Sequence, residues 1–163
     1  MILEDFTDGD AAGWSYVSDR VMGGVSDGGA AFMREGGTTF ARLAGEVSTA
    51  NNGGFIQIRR QLTPPLPDTS SGLSLTARGN GERYYIHLRP ANSRRPWQYY
   101  ATSFEAAPDW ETISLNWSDF KPQGGLPSTF EPSQIVSLGI VAYGADYTAE
   151  LDVKWVEVIN PSS

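Results

Sequence analysis

The residues able to carry chemistry are few in kind. The chain has a single histidine, His87, and no cysteine, so thiol nucleophiles, thiolate metal sites and disulfides are all absent. His87 stands between Tyr85 and Arg89 in the run Arg83 to Arg89, which reads as a polar strand face rather than as the setting of a general base. Zinc would have to be held by His87 and carboxylates alone, a poor match to its usual nitrogen and sulfur shell. Calcium accepts oxygen ligands, backbone carbonyls included, which leaves Asp5, Asp8 and Asp152 as a conceivable set if the chain ends pair. Neither pattern is specific, and no metal or other cofactor is expected. Glu82, Glu105, Asp109, Glu111 and Asp119 supply carboxylates, but no spacing marks two of them as an acid and base pair. The serines lack both a nucleophile elbow and a well-placed histidine, so the expectation is a protein without a catalytic centre.

Binding chemistry is better represented. Asp19-Arg20-Val21-Met22-Gly23-Gly24 and Asn51-Asn52-Gly53-Gly54 are two loops whose glycines let backbone donors approach a partner closely. Both also read as structural turns, with Asp19 accepting amide hydrogen bonds and Asn and Gly taking left-handed conformations. The first is not a phosphate loop, since it lacks the nucleotide-binding spacing and a Lys-Ser/Thr ending. Arg59 reads either as a ligand contact or as a strut paired with Asp19 or Glu46. Five Trp, seven Tyr and seven Phe are more than one core of this size absorbs. The candidate binding surface is therefore the polar side of the strand holding Arg83, Tyr85, His87 and Arg89, extended by Arg59, Trp97, Tyr99 and Tyr100. Arg59-Arg60 and Arg94-Arg95 are otherwise ordinary solvated pairs.

Short strands must position these groups. Eighteen Gly and ten Pro are spread throughout, and helix-period apolar stripes are missing. Strands are expected at Ile2 to Phe6, Trp14 to Val17 (or an ordered loop anchored by the indole), Thr38 to Val47 with a bend or bulge near Gly45, Phe55 to Arg59, Leu73 to Arg78, Arg83 to Arg89, Trp97 to Phe104, Trp110 to Trp117, Val136 to Ala142 and Glu150 to Val158. Asp8-Gly9 reads as a turn closing the first, Gly79-Asn80-Gly81 as a tight hairpin, and Glu131 to Gln134 as one helical turn. The last strand shifts its apolar set after Trp155, which predicts a bulge or two-sided burial. Eight to ten strands, each with one apolar face, are satisfied by two facing antiparallel sheets in an all-β jelly-roll sandwich spanning residues 1–163 as one domain. A closed barrel meets the same alternation.

Charge and hydropathy narrow the partners. With 12 basic and 19 acidic residues the net charge is −7, which repels phosphate backbones and argues against nucleic acid. No window approaches the roughly 20 apolar residues of a spanning helix, so an integral membrane protein is not expected. Residues 1–20 carry Glu4, Asp5, Asp8 and Asp10 without a basic leader and apolar run, which predicts no secretory signal. Absent cysteine fits a reducing cytoplasm, and any work at a membrane would proceed through a membrane-bound partner.

The segment Trp14-Ser15-Tyr16-Val17-Ser18-Asp19-Arg20-Val21-Met22-Gly23-Gly24-Val25-Ser26 resembles the opening motif of the complex I intermediate-associated protein 30 family. Asn51-Asn52-Gly53-Gly54-Phe55 with Arg59 is similar to that family's second signature. Further matches run through Gly79-Asn80-Gly81 with Arg83 and Tyr84, Tyr99 to Phe104, Trp110-Glu111-Thr112, Trp117 with Phe120, Ser137-Leu138-Gly139 and Leu151 to Val156. The resemblance implies a galactose-binding-domain-like sandwich. It also implies a role of the kind played by mitochondrial members, which hold subunits of the membrane arm of NADH:ubiquinone oxidoreductase during assembly. Plant relatives join such a domain to a dinucleotide-binding domain. Against the mitochondrial pattern, no transit peptide is expected for this chain, and the loop Tyr143-Gly144-Ala145-Asp146-Tyr147 reads as shortened. The partner implied is thus a protein, membrane-complex subunits first among them, with carbohydrate as the alternative ligand.

Overall fold

The computed structural model describes residues 2–7 and 13–160; the expected Asp8-Gly9 turn and the calcium candidate Asp8 lie outside them. Twelve strands occur among the described residues: β1 (Ile2–Glu4), β2 (Ser15–Ser18), β3 (Asp27–Glu35), β4 (Thr38–Val47), β5 (Phe55–Gln61), β6 (Gly72–Gly79), β7 (Arg83–Pro90), β8 (Tyr100–Glu105), β9 (Glu111–Asn116), β10 (Lys121–Pro122), β11 (Ile135–Tyr143) and β12 (Tyr147–Ile159). No α-helix is found among these residues, only 3-10 turns such as Asp19–Met22 and Pro132–Gln134. One six-stranded sheet runs β3-β4-β12-β6-β9, with β1 also on β12, and the other runs β10-β8-β7-β11-β5-β2. All pairings are antiparallel, and the two sheets face each other as a jelly-roll sandwich rather than closing into a barrel.

Alternation explains the core. Leu73, Leu75 and Ala77 of β6 and Leu151, Val153, Val156 and Val158 of β12 point inward from one sheet. Ile56 and Ile58 of β5, Tyr84, Ile86 and Leu88 of β7, and Leu138, Ile140 and Ala142 of β11 meet them from the other. Side chains of this kind contribute about 1.5–3 kcal/mol each when fully buried, which fixes which face of every strand is inside. The apolar shift in β12 is a register break between Val153 and Trp155, the bulge of the two outcomes its sequence allows.

Three expectations about elements are corrected. β3 is absent from the expected set, because Asp27–Glu35 lies at a sheet edge, is mostly exposed and has no apolar alternation to betray it. Gly45 causes no bulge; it stays in register opposite Gly28, where a Cβ would sit 2.4 Å from the Gly28 Cα. Gly79-Asn80-Gly81 is not a hairpin, since β6 and β7 belong to different sheets. Burial cannot separate the two cases, because a crossover hides the same alternate residues as a hairpin. The crossover is tied by Asn80, whose amide donates to the Thr148 carbonyl at 2.8 Å and whose oxygen accepts from Tyr84 Oη at 2.6 Å. Tyr84 Oη also accepts from the Glu150 amide at 2.8 Å and thereby joins the two sheets.

A second tie is made by Glu4 of β1. It accepts from Trp14 Nε1 at 2.9 Å, from Arg60 Nη1 at 2.9 Å and from the Phe6 amide at 2.8 Å. Arg60 is therefore a strut between sheets rather than a solvated partner of Arg59, whereas Arg94 and Arg95 are exposed as expected.

Candidate functional site

The two motif loops close on one carboxylate. Asp19 is fully buried; Oδ1 accepts from the Ser26 amide at 3.0 Å, and Oδ2 accepts from Ser26 Oγ at 2.5 Å, the Gly54 amide at 2.6 Å and the Phe55 amide at 3.3 Å. Burial on its own raises such a carboxyl, but these hydrogen bonds outweigh it and hold Asp19 below the usual carboxylate range. Gly24 and Gly53 pack against it so closely that a Cβ on either would fall 2.4 Å from the carboxylate group. Gly23 and Asn51 take left-handed conformations at the turns themselves. The loops are thus one internal clamp, and what they present outward is Val21 and Met22, 76% and 58% exposed.

With its acceptors filled in this way, Asp19 does not pair with Arg59. Glu46 does not either; its side chain accepts from Thr148 Oγ1 at 2.8 Å. Arg59 instead projects from the outer face of β5, and the register of the second sheet defines its surroundings. Gly139 of β11 lies opposite His87 of β7 on one side and Arg59 on the other. One step along, Val141 separates Tyr85 from Gln57; in the other direction, Ser137 separates Arg89 from Gln61. Ser137, Gly139 and Val141 are buried, so small groups of the central strand lie below the larger side chains of β7 and β5 in a shallow trough, with the Gln57 side chain reaching over Gly139, where a Cβ would sit 2.7 Å from its Oε1.

Aromatic rings cover one wall. Tyr99 stacks on the His87 imidazole with centroids 3.9 Å apart and planes 17° apart. Tyr143 meets Tyr85 edge-on at 5.6 Å and His87 at 5.8 Å. Burial, then the Arg89 charge, depress the His87 pKa from 6.5 to about 3, so the imidazole is neutral at neutral pH. Burial followed by the adjacent Tyr143 hydroxyl pushes Tyr99 upward. A neutral ring of this basicity donates and accepts hydrogen bonds but is a weak base, and no carboxylate among the described residues of this trough stands beside it. Glu105, at the far end, faces Arg83 at 3.5 Å, both exposed.

Arg89 organises a loop. Its Nη1 and Nη2 donate to the carbonyls of Arg95 at 3.2 Å and Pro96 at 2.9 Å. That bracing presents Trp97, which is 59% exposed, at one end of the trough; Tyr143, 42% exposed, closes the other. Tyr100, expected on this surface, turns inward instead and donates its hydroxyl to the Pro127 carbonyl at 2.8 Å. The sequence-expected set of Arg59, Tyr85, His87, Arg89 and Tyr99 shares this one face, with Trp97 and Arg83 at its margins. Gln57, Gly139 and Tyr143 are further members that the sequence reading does not single out. Each continues the two-residue alternation through Arg59 or through Ser137 and Val141, which is the signal that finds them.

The outer face of the first sheet differs. Thr39, Thr76, Thr112, Lys154 and Trp155 line an open depression there, and the Thr76 and Thr112 hydroxyls are 3.1 Å apart. Hydroxyls satisfied by one another are the usual cover of a wet sheet face. Nearby, Asp152 accepts from Arg42 Nε at 2.8 Å and Arg78 Nε at 2.9 Å, and Arg78 lies over the Trp110 ring at 4.5 Å. Both Asp152 oxygens are committed to guanidinium groups, and the Asp5 carboxylate accepts from the Thr7 amide at 3.1 Å. The second sheet's trough is the stronger candidate, because among the described residues Arg59 there is not held by a carboxylate and Trp97 and Tyr143 are exposed at its ends.

These features define a β-sandwich of the galactose-binding-like jelly-roll type with a polar, aromatic sheet face. The Complex I intermediate-associated protein 30 family model matches residues 4–153, and the chain belongs to that family. Among curated proteins none matches the chain. Similar solved structures include the family 11 carbohydrate-binding module from Clostridium thermocellum in complex with a β-1,3-1,4-mixed-linked tetrasaccharide, with a TM-score of 0.78 and 16% identity over 98% of this chain and 94% of that one. The family 11 module of the cellulosomal cellulase Lic26A-Cel5E of Clostridium thermocellum gives a TM-score of 0.79 and 15% identity with the same coverage. A family 30 carbohydrate-binding module is more distant, with a TM-score of 0.57 and 16% identity over 82% of this chain and 90% of that one. At such identities these likenesses concern the fold.

Proposed function

We propose that the chain acts as a single non-catalytic protein-binding domain that seats its partner in the trough over β11, as an assembly or scaffolding factor for a membrane-bound respiratory complex. The observation that carries this reading is the spacing of exposed Trp97 and Tyr143 at the two ends of one face, with Arg59 between them. Trp, Tyr and Arg dominate protein-binding hot spots, where a handful of residues supply most of the free energy. Val21 and Met22 extend the apolar rim at the Tyr143 end, because Asp19 ties their loop to the start of β5. The family supports the assembly role. No helix among the described residues is long and apolar enough to cross a membrane, so contact with one is proposed to run through the partner, from the cytoplasmic side.

Capture from detergent-solubilised membranes of the native cells tests the reading. Wild-type protein should retain respiratory-complex subunits, and a Trp97→Ala, Tyr143→Ala double variant should lose them. Equal recovery by both would reject the face.

A second reading is favoured by the ring cluster Tyr85, His87, Tyr99 and Tyr143 beside Gln57 and Arg59. Rings flanked by hydrogen-bonding groups suit a sugar, and the structural likenesses include a module bound to a mixed-linked tetrasaccharide. Retardation of the protein in gels containing mixed-linked β-glucan, relieved by Tyr99→Ala, would put this reading first.

A further inference from the structure

Arg59 stands out among the half-buried arginines by what it lacks. Arg42 and Arg78 share Asp152, Arg60 is held by Glu4, and Arg89 is spent on loop carbonyls. Among the described residues no hydrogen bond or ion pair reaches the Arg59 side chain. Its cross-strand neighbours are Ser15 on β2 and Gly139 on β11, neither able to neutralise it. The same transverse row continues through His87 and Ala101 to Lys121 on β10. A row across the sheet thus has cations toward both sides, a neutral imidazole between them and no acid, although the chain as a whole carries a net charge of −7.

The second arginine sharpens the contrast. Arg89 projects from the same face one step further along β7, close enough that the Arg59 charge, after burial, lowers its pKa. Two like charges facing one trough repel each other, and folding alone supplies no compensating carboxylate there. A guanidinium left partly desolvated and unpaired is poised for a planar anion, which it engages with two parallel hydrogen bonds.

We infer that Arg59 is a carboxylate receptor, taking the side chain of a glutamate or aspartate on the protein partner at the exposed end of its guanidinium, beside the Gln57 side chain that covers Gly139. The inference rests on the protein-binding reading above and specifies what that partner must present. Phosphate is disfavoured by the single unspent guanidinium, since Arg89 cannot turn without releasing the loop that holds Trp97.

The test uses two probes that differ only in charge: the peptides acetyl-Tyr-Glu-Tyr-amide and acetyl-Tyr-Gln-Tyr-amide, titrated at low salt by following the Arg59 Nε–H signal in the NMR spectrum. The glutamyl peptide should bind about tenfold more tightly, equivalent to about 1.4 kcal/mol, with the preference shrinking at high salt. Arg59→Gln should abolish the preference without lowering the thermal midpoint, and Arg59→Lys should keep part of it. Equal binding of the two peptides, no binding of either, or a preference that survives Arg59→Gln would overturn the inference. Arg59-dependent binding of polygalacturonate without any peptide preference would overturn the protein source of the carboxylate. Partner capture that depends on Trp97 and Tyr143 but not on Arg59 would remove this inference and leave the proposed function standing. A peptide preference with no captured partner would do the reverse.

Discussion

At the scale of single residues, charged groups that look alike in sequence do opposite things. Asp19 is structural: it satisfies four donors from two loops, and Asp19→Asn would set an amide NH2 against backbone donors. Hydrogen bonds to a charged group are worth about 1.5–3 kcal/mol each, so this variant should lose about 3 kcal/mol in urea denaturation, a sizeable fraction of the roughly 5–15 kcal/mol that holds a domain folded. Because the folded Asp19 carboxyl lies below its ordinary value, that contribution is present at neutral pH and is lost as the pH falls through the folded value. His87 behaves likewise over a higher window. Its pKa is about 3 when folded against 6.5 when free, so the unfolded chain takes up the proton first. Its contribution is full above about pH 6.5 and declines toward pH 3; the melting temperature of wild type should therefore drop more between pH 7 and pH 4 than that of His87→Gln, and parallel curves would contradict the depressed value. Arg59 and Arg60 make the contrast sharpest. Arg60→Gln should destabilise by about 1–3 kcal/mol, since it leaves buried Glu4 short of a partner, while Arg59→Gln should be neutral or slightly stabilising. Nothing in a pair of adjacent arginines says which one is paired, because the deciding carboxylate, Glu4, is 56 positions away in the chain.

At the scale of elements, alternation carries most of what is legible in the sequence. The inward faces of β6, β7 and β11 follow directly from Leu73, Leu75 and Ala77, from Tyr84, Ile86 and Leu88, and from Leu138, Ile140 and Ala142. The outward face of β7 follows from the same period of two, which is why alternation alone groups Tyr85, His87 and Arg89 on one side of the strand. Pairing between strands is not legible in this way. Gly79-Asn80-Gly81 has the composition of a hairpin yet crosses between sheets, and β3 gains its place from backbone hydrogen bonds to β4 rather than from side-chain burial. The glycines of the two motifs are legible as turns but not as packing partners of one carboxylate. That packing makes a specific prediction: Gly24→Ala and Gly53→Ala, at negative or unstrained backbone angles, should each destabilise by about 1–3 kcal/mol through contact with Asp19. Asp19→Ala should blunt the effect of either substitution, a coupling measurable in a double-mutant cycle. Additive losses would mean that the glycines act through the backbone alone.

At the scale of the whole molecule, the sandwich has two outer faces that are not equivalent. On the first sheet, Asp152 and two arginines, the Trp110 stack and the threonine hydroxyls satisfy one another, whereas the second sheet keeps Arg59, Trp97 and Tyr143 available. The chain belongs to the Complex I intermediate-associated protein 30 family and shares its fold with carbohydrate-binding modules, and the asymmetry of the two faces is what the proposed binding surface rests on. A photo-crosslinking amino acid placed singly at Trp97, at Tyr143 or at Thr76 in the protein expressed in its native cells measures that choice directly. Partner adducts should form from the Trp97 and Tyr143 positions and not from Thr76. Adducts arising only from Thr76 would assign binding to the threonine-lined face of the first sheet and contradict the account.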